Sequence, residues 1–316
     1  MPARSRSDFL VAASALALAA GVPARAQAPA PVLRVGMGPS DAYGEAWYAA
    51  DAGIFQKAGL NVEVQGFNSG NTATSAVVAG TLDIVGTTPV PIANAVIRGI
   101  PLVIVAAAAV NTVKAPQAVM CVRKDGPIHS AKDLAGKTVG MNVVRSIPEL
   151  GLDMWLAKND VDIAHVRTVE VLAAEMGPAV ERGTIDAFVA GEPALSAALR
   201  ANNVRVLVDP MSYIAPRFMF AGWFTSAQFA QRNPELLKRF ANTIYETARW
   251  ANRHHTETAQ ILAKYTKLNV ADVTTMVRAD FSEELRLNEL QPLLDAAAKF
   301  NFLPRQISAA EFVAKS

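Results

Sequence analysis

The feature that most restricts how this chain can fold is that it uses the same short vocabulary twice. Val35-Gly36-Met37 returns as Val139-Gly140-Met141, Val62-Glu63-Val64 as Val169-Glu170-Val171, and Gly80-Thr81-Leu82-Asp83 as Gly183-Thr184-Ile185-Asp186, at offsets of 104, 107 and 103 residues. One matching tripeptide would mean little. Three in the same order at nearly one spacing define a repeated structural unit.

Each unit alternates β-branched stretches with helical ones. The first reads as a strand over Leu33 to Gly38, a helix over Glu45 to Ala58, a strand over Val62 to Phe67, a helix over Thr72 to Ala79 and a strand over Asp83 to Gly86. The second reads Thr138 to Met141, Pro148 to Asn159, Val166 to Val171, Met176 to Arg182 and Ala187 to Ala190. Such alternation predicts a parallel sheet covered by helices, built twice. The fold class is therefore α/β, with two similar lobes. A strand at Val204 to Val208 and an aromatic stretch (Tyr213, Phe218, Phe220, Trp223, Phe224) precede a helical C-terminal region. There Asn233-Pro234-Glu235 starts a helix with proline in its first turn, and Leu237, Phe240, Ile244, Ala248 and Ala251 share one face. Ser308 to Glu311 has capping-box spacing.

In open parallel sheets, ligands bind at the carboxyl ends of the strands, where helix starts present unpaired N–H groups. Small polar residues gather at all three such ends of the first lobe: Ser40, Asp41 and Tyr43, then Asn68, Ser69, Asn71 and Thr72, then Thr87 and Thr88. The second lobe adds Asn142, Arg145, Ser146, Glu175 and Glu192. Singly, such residues read as helix caps. Clustered at every strand end, they read as a ligand cleft, with Arg145 placed for an anion and Asp41 for an amine.

Composition removes other classes. The formal charge is +2, and Arg4, Arg6, Arg25 and Asp8 account for all of it. The remainder is near neutral and has no basic stripe, which argues against nucleic acid as a partner. No cofactor fingerprint is complete: Asp41 stands where a dinucleotide loop needs its third glycine, and Ala131 where a P-loop needs its first. His254 and His255 have no companions at metal-ligand spacing and read as solvated, so no metal site is expected. The single cysteine, Cys121, lies in an apolar strand and reads as a core residue. Residues 1–26 carry a basic start, an alanine-rich apolar run and Ala24-Arg25-Ala26, which predicts a signal peptide cleaved near Ala26 and export to the periplasm.

With those residues in hand, the chain resembles the soluble binding proteins of ABC importers for aliphatic sulfonates, taurine, nitrate and related compounds. The likeness runs over most of residues 32–305, through Ala52-Gly53-Ile54-Phe55, Ala58-Gly59-Leu60, Asp133 to Gly140, Gly191-Glu192-Pro193 and Leu290 to Leu294. The family often has Trp before its Glu-Pro pair, and Gly191 here is expected to leave space at the cleft wall. The resemblance implies a two-lobed, type II-like periplasmic binding fold. It implies hinge closure around the ligand. The repeat boundaries and the crossings near 108–116 and 208–216 set one lobe as residues 32–112 with 214–316 and the other as 113–213. The helix starts with Arg145 point to a small sulfonate or carboxylate, with a zwitterion or neutral nitrogen heterocycle as the alternative. The resemblance also implies a monomer that meets an ABC permease and ATPase and does no catalysis. Two alternatives share the fold: a thiamine-pyrimidine-synthase-like enzyme, and an exported sensing subunit of a receptor.

Overall fold

A computed structural model describes residues 32–67 and 70–313. The expected signal peptide lies outside the described residues, as do Asn68 and Ser69.

The first unit comprises β1 (Val32–Met37), α1 (Glu45–Asp51), α2 (Ile54–Lys57), β2 (Asn61–Gly66), α3 (Gly70–Val78), β3 (Ile84–Thr87), α4 (Pro89–Ile97) and β4 (Leu102–Ala107). A connecting strand, β5 (Ala109–Thr112), leads to β6 (Val119–Arg123), β7 (Thr138–Met141), α5 (Ile147–Lys158) and β8 (Arg167–Glu170). Next come α6 (Met176–Glu181), β9 (Ala187–Ala190), α7 (Ala194–Arg200) and β10 (Val204–Val208). The chain then returns through β11 (Arg217–Met219) and β12 (Gly222–Ser226) to α8 (Ala227–Arg232), α9 (Pro234–Ala251) and α10 (His255–Thr266). It closes with α11 (Val270–Thr275), β13 (Asp280–Phe281) and α12 (Leu287–Lys299).

The two large sheets have one plan. The first is ordered β2-β1-β3-β12-β4 and the second β8-β7-β9-β6-β10. In each, three parallel strands are followed by one antiparallel strand, β12 or β6. A third sheet, β11-β5-β13, joins both connecting segments.

The repeated residues turn out to be packing devices. A Cβ on Gly36 would lie 2.3 Å from Leu82 Cδ1, and one on Gly140 would lie 2.6 Å from Ile185 Cδ1. The leucine or isoleucine of the third repeated motif thus crosses directly over the glycine of the first. The motif's aspartate pins the neighbouring strand: Asp83 accepts from the backbone and guanidinium of Arg34, and Asp186 from the backbone of Thr138.

Three readings need correction. The helix expected over Glu45 to Ala58 is two helices, because Gly53 adopts φ 70°, which an α-helix cannot include. The match at offset 107 is a coincidence of composition: β1 pairs Val35 with Val64 while β7 pairs Val139 with Thr168, so the second strands also correspond at about 104. The aromatic stretch conceals β12, which inserts between β3 and β4 with Trp223 and Phe224 fully buried. Helix α9 buries the five expected residues, and Phe240 packs on Phe55 and Trp223. Ser308 and Glu311 form the expected capping box. Cys121 is fully buried in β6, where burial pushes its thiol up to about 12.

Candidate functional site

Every parallel strand of both large sheets ends at one rim, and the predicted residues lie along those rims. In the first, Ser40 caps the turn 41–43 by accepting from Ala42 N–H at 3.2 Å. Tyr43 is half-buried, and burial raises its phenol above the ordinary range. Asn71 and Thr72 are exposed in the first turn of α3. Thr87 is buried at the end of β3 and pressed against Gly70, where an added Cβ would lie 2.1 Å from its Oγ1. Thr88 is the N-cap of α4 but makes no side-chain cap bond, and because Pro89 and Pro91 carry no N–H the first turn of that helix offers the single N–H of Val90.

Asp41 is not poised for an amine. Its carboxylate accepts from Arg278 Nε at 2.8 Å and Nη2 at 3.1 Å, from Ala279 N–H at 2.9 Å and from the Tyr48 hydroxyl. With both side chains of the ion pair about nine-tenths buried, this is an internal tie between the first rim and the C-terminal region. The sequence shows Asp41 but not Arg278, which lies 237 residues away.

On the second rim, Asn142 is exposed, and Ser146 is the half-buried N-cap of α5, again without a side-chain cap bond. Arg145 has φ 57°, and its N–H donates to Glu149. Its guanidinium lies 4.3 Å over the Phe302 ring and donates to the Asn301 carbonyl, so it joins this rim to the segment after α12. Glu175 is exposed and paired with Arg182 at 3.4 Å. Glu192, before a cis Pro193, accepts from Ser196 N–H and hydroxyl and, across to the segment before β13, from Val277 N–H at 3.1 Å. Arg200 and Asp272, 3.3 Å apart, make a further tie of this kind. Gly191 does not leave free space either: an added Cβ would lie 2.3 Å from the Gln117 carbonyl oxygen, because the connecting backbone fills that place.

Two buried groups escaped the sequence reading. Glu45, the first residue of α1, is fully buried with neither carboxyl oxygen in a well-aligned hydrogen bond among the described residues, and the donor beside it is the equally buried Trp223 indole N–H. An acid at a helix start ordinarily signals dipole stabilisation, which is why Glu45 drew no notice. His254, expected to be solvated, instead stacks on Trp250 at 5.2 Å and contacts its carbonyl. Among the described residues there is no group of three or more His, Cys, Asp or Glu that could hold a metal ion, and no helix long and apolar enough to cross a membrane.

Two sheets of one order, joined by paired connecting strands and presenting their strand ends as rims, define a two-lobed periplasmic-binding-protein fold. A model of the NMT1-like family matches residues 26–267, and the chain belongs to that family. No curated protein matches it in sequence. Among solved structures it is similar to the periplasmic aliphatic sulphonate binding protein SsuA from Escherichia coli, at 18% identity over 90% of this chain and 92% of that one, with a TM-score of 0.74. It is also similar to the periplasmic nitrate-binding protein NrtA from Synechocystis PCC 6803, at 16% identity over 86% and 82% of the two chains, TM-score 0.69. The desulfurization enzyme DszB shares the fold too, at 17% identity over 90% and 96%, TM-score 0.67.

Proposed function

We propose that this chain is a periplasmic solute-binding protein that delivers a small organic anion, a sulfonate or carboxylate, to an ABC importer. The observation that carries this reading is a pair of helix starts, at α4 behind Thr88 and α5 behind Ser146, whose N-caps supply no side-chain bond. Pro89, Pro91 and Pro148 have no N–H, so the donors there are Val90 on α4 and Ile147 and Glu149 on α5, which with the positive end of each helix favour a negative group. Binding of a sulphonate and of nitrate by two proteins of this fold supports it.

In this reading residues 32–112 with 214–316 form one lobe and 113–213 the other, and the connecting strands β5 and β11 are the hinge. Thr87, Thr88, Asn71 and Thr72 face the solute from one side and Asn142 and Ser146 from the other, with Tyr43 as a wall. Asn68 and Ser69 belong to the same loop. Arg145, Glu192 and Arg200 serve closure, through their bonds to Asn301, Val277 and Asp272. Solute completes the closed cleft, and the closed form is presented to the permease and its ATPase as a monomer. The protein acts without cofactor or metal, after export and cleavage near Ala26.

Although an enzyme shares the fold, Cys121 is a core thiol raised to about 12 by burial, which makes a poor nucleophile. The reading is therefore of a binder. A thermal-shift screen of sulfonates, carboxylates, amino acids and pyrimidines tests it. Stabilisation led by an anionic compound is expected, and a best ligand with no negative charge would refute the assignment.

A further inference from the structure

The repeat supplies an internal control for Glu45. At the repeat's offset of 104, Glu45 corresponds to Glu149, and each is the residue eight positions past the end of a central strand. Glu149 is satisfied within its own unit, by Arg145 N–H and by the Thr168 hydroxyl at 2.7 Å. In the first unit the strand position equivalent to Thr168 is Val64, which has no hydroxyl. The residue equivalent to Arg145 is Asp41, whose backbone N–H makes no bond to the Glu45 carboxyl. Glu45 has thus lost both of the partners that its counterpart keeps.

Its surroundings lie just under the first rim. Trp223 is the second residue of β12, opposite Gly86 of β3 and Ala106 of β4, near the strand ends. On α9, the Tyr245 hydroxyl accepts from Ala107 N–H at 3.2 Å, at the end of β4. The charged and titratable groups acting here are Asp41 on the turn before α1, Tyr245 on α9, and Glu284 behind Tyr245. None of these is a cation. Burial, above all, and then the nearby Asp41 hold the Glu45 carboxyl well above the usual carboxylate range. A buried carboxyl with no donor but one indole N–H beside it is costly to maintain unless something supplies another.

We propose that Glu45 and the Trp223 indole N–H form a specificity subsite that receives a hydrogen-bond-donating nitrogen of the solute. The solute is then a zwitterion, an aminoalkyl sulfonate or amino carboxylate. This rests on the anion reading above: the acid group lies at the helix starts and the nitrogen at Glu45. As the ammonium arrives, the Glu45 carboxyl releases its proton to solvent. One oxygen of the resulting carboxylate accepts from the ammonium and the other from Trp223.

Calorimetry on the full chain with matched probes tests this: 2-aminoethanesulfonate against ethanesulfonate, and 3-aminopropanoate against propanoate, in buffers of different ionisation heat. A preference of about tenfold or more for one amine-bearing member is expected, the scale of a hydrogen bond to a charged group. It should be accompanied by proton release that a merely structural Glu45 would not show. Glu45→Gln should abolish both preference and proton release while keeping affinity for the amine-free partner. Val64→Thr, which restores the hydroxyl found beside Glu149, should weaken the preference in a fully folded chain. Equal binding of amine-bearing and amine-free probes, or a preference unchanged in Glu45→Gln, would overturn the subsite and leave the anion reading standing. Failure of all four probes, with an uncharged compound binding instead, would overturn both.

Discussion

The two copies of the repeat agree at one end of their strands and differ at the other. Where the strands begin, Asp83 and Asp186 make the same bond to the backbone of the neighbouring strand, and a leucine or isoleucine lies across the same glycine. At the rims, position 41 is an aspartate tied to Arg278 while its counterpart, Arg145, lies over Phe302; Glu45 lacks both bonds that Glu149 makes. What the chain repeats is packing, and what it varies is the rims, where the proposed solute would bind.

The largest effect should come from breaking the tie that is unique to the first rim. Asp41→Ala leaves the buried Arg278 charge and the Tyr48 hydroxyl without their partner, and should cost roughly 3 to 5 kcal/mol of stability. Denaturant unfolding measures it. A near-neutral result, with solute affinity lost instead, would return Asp41 to the role of solute contact.

The shared aspartates give a sharper comparison, since their motif is the same but their burial is not. The Asp83 side chain is 8% exposed and takes three bonds from Arg34, whereas Asp186 is 36% exposed, with one backbone bond and Lys137 at 3.4 Å. Asp83→Ala should cost about 2 to 3 kcal/mol and Asp186→Ala about 1 kcal/mol. Equal losses would mean that the motif, and not its burial, sets the energy.

A smaller effect depends on pH and belongs to the second copy alone. Burial, and then the neighbouring Glu149, raise Asp153 to about 7 against the pull of Arg145. The folded chain therefore binds this proton more tightly than the unfolded chain does. The contribution to stability is full below pH 4 and is lost as pH rises through 7. Asp153→Asn should flatten that decline and stabilise the protein by on the order of 1 kcal/mol at pH 8. Melting temperatures of both forms at pH 5 and pH 8 check this, and parallel declines would contradict it.

How much of this was legible beforehand follows from the same division. Strand and helix positions could be read because β-branched runs and helix signals are local, and the repeat announced the common sheet. The place of β12 could not be read, since a short aromatic strand entering between β3 and β4 is specified by packing across more than a hundred residues. The rims were located correctly in sequence as loops after strands, but the work each polar residue does depends on distant partners. Arg278 for Asp41, Asn301 for Arg145 and Val277 for Glu192 leave no local trace. Glu45 was missed for the opposite reason: what marks it is the absence of a partner, visible only once Val64 and Thr168 fall in equivalent registers.

The central claim, a two-lobed binder that closes on a small organic anion, is tested most directly by small-angle X-ray scattering of the chain without residues 1–26, with and without the best sulfonate or carboxylate from the screen. A fall in radius of gyration at saturation, reversed on removing the compound, is the predicted result. Unchanged dimensions with the solute demonstrably bound would contradict hinge closure.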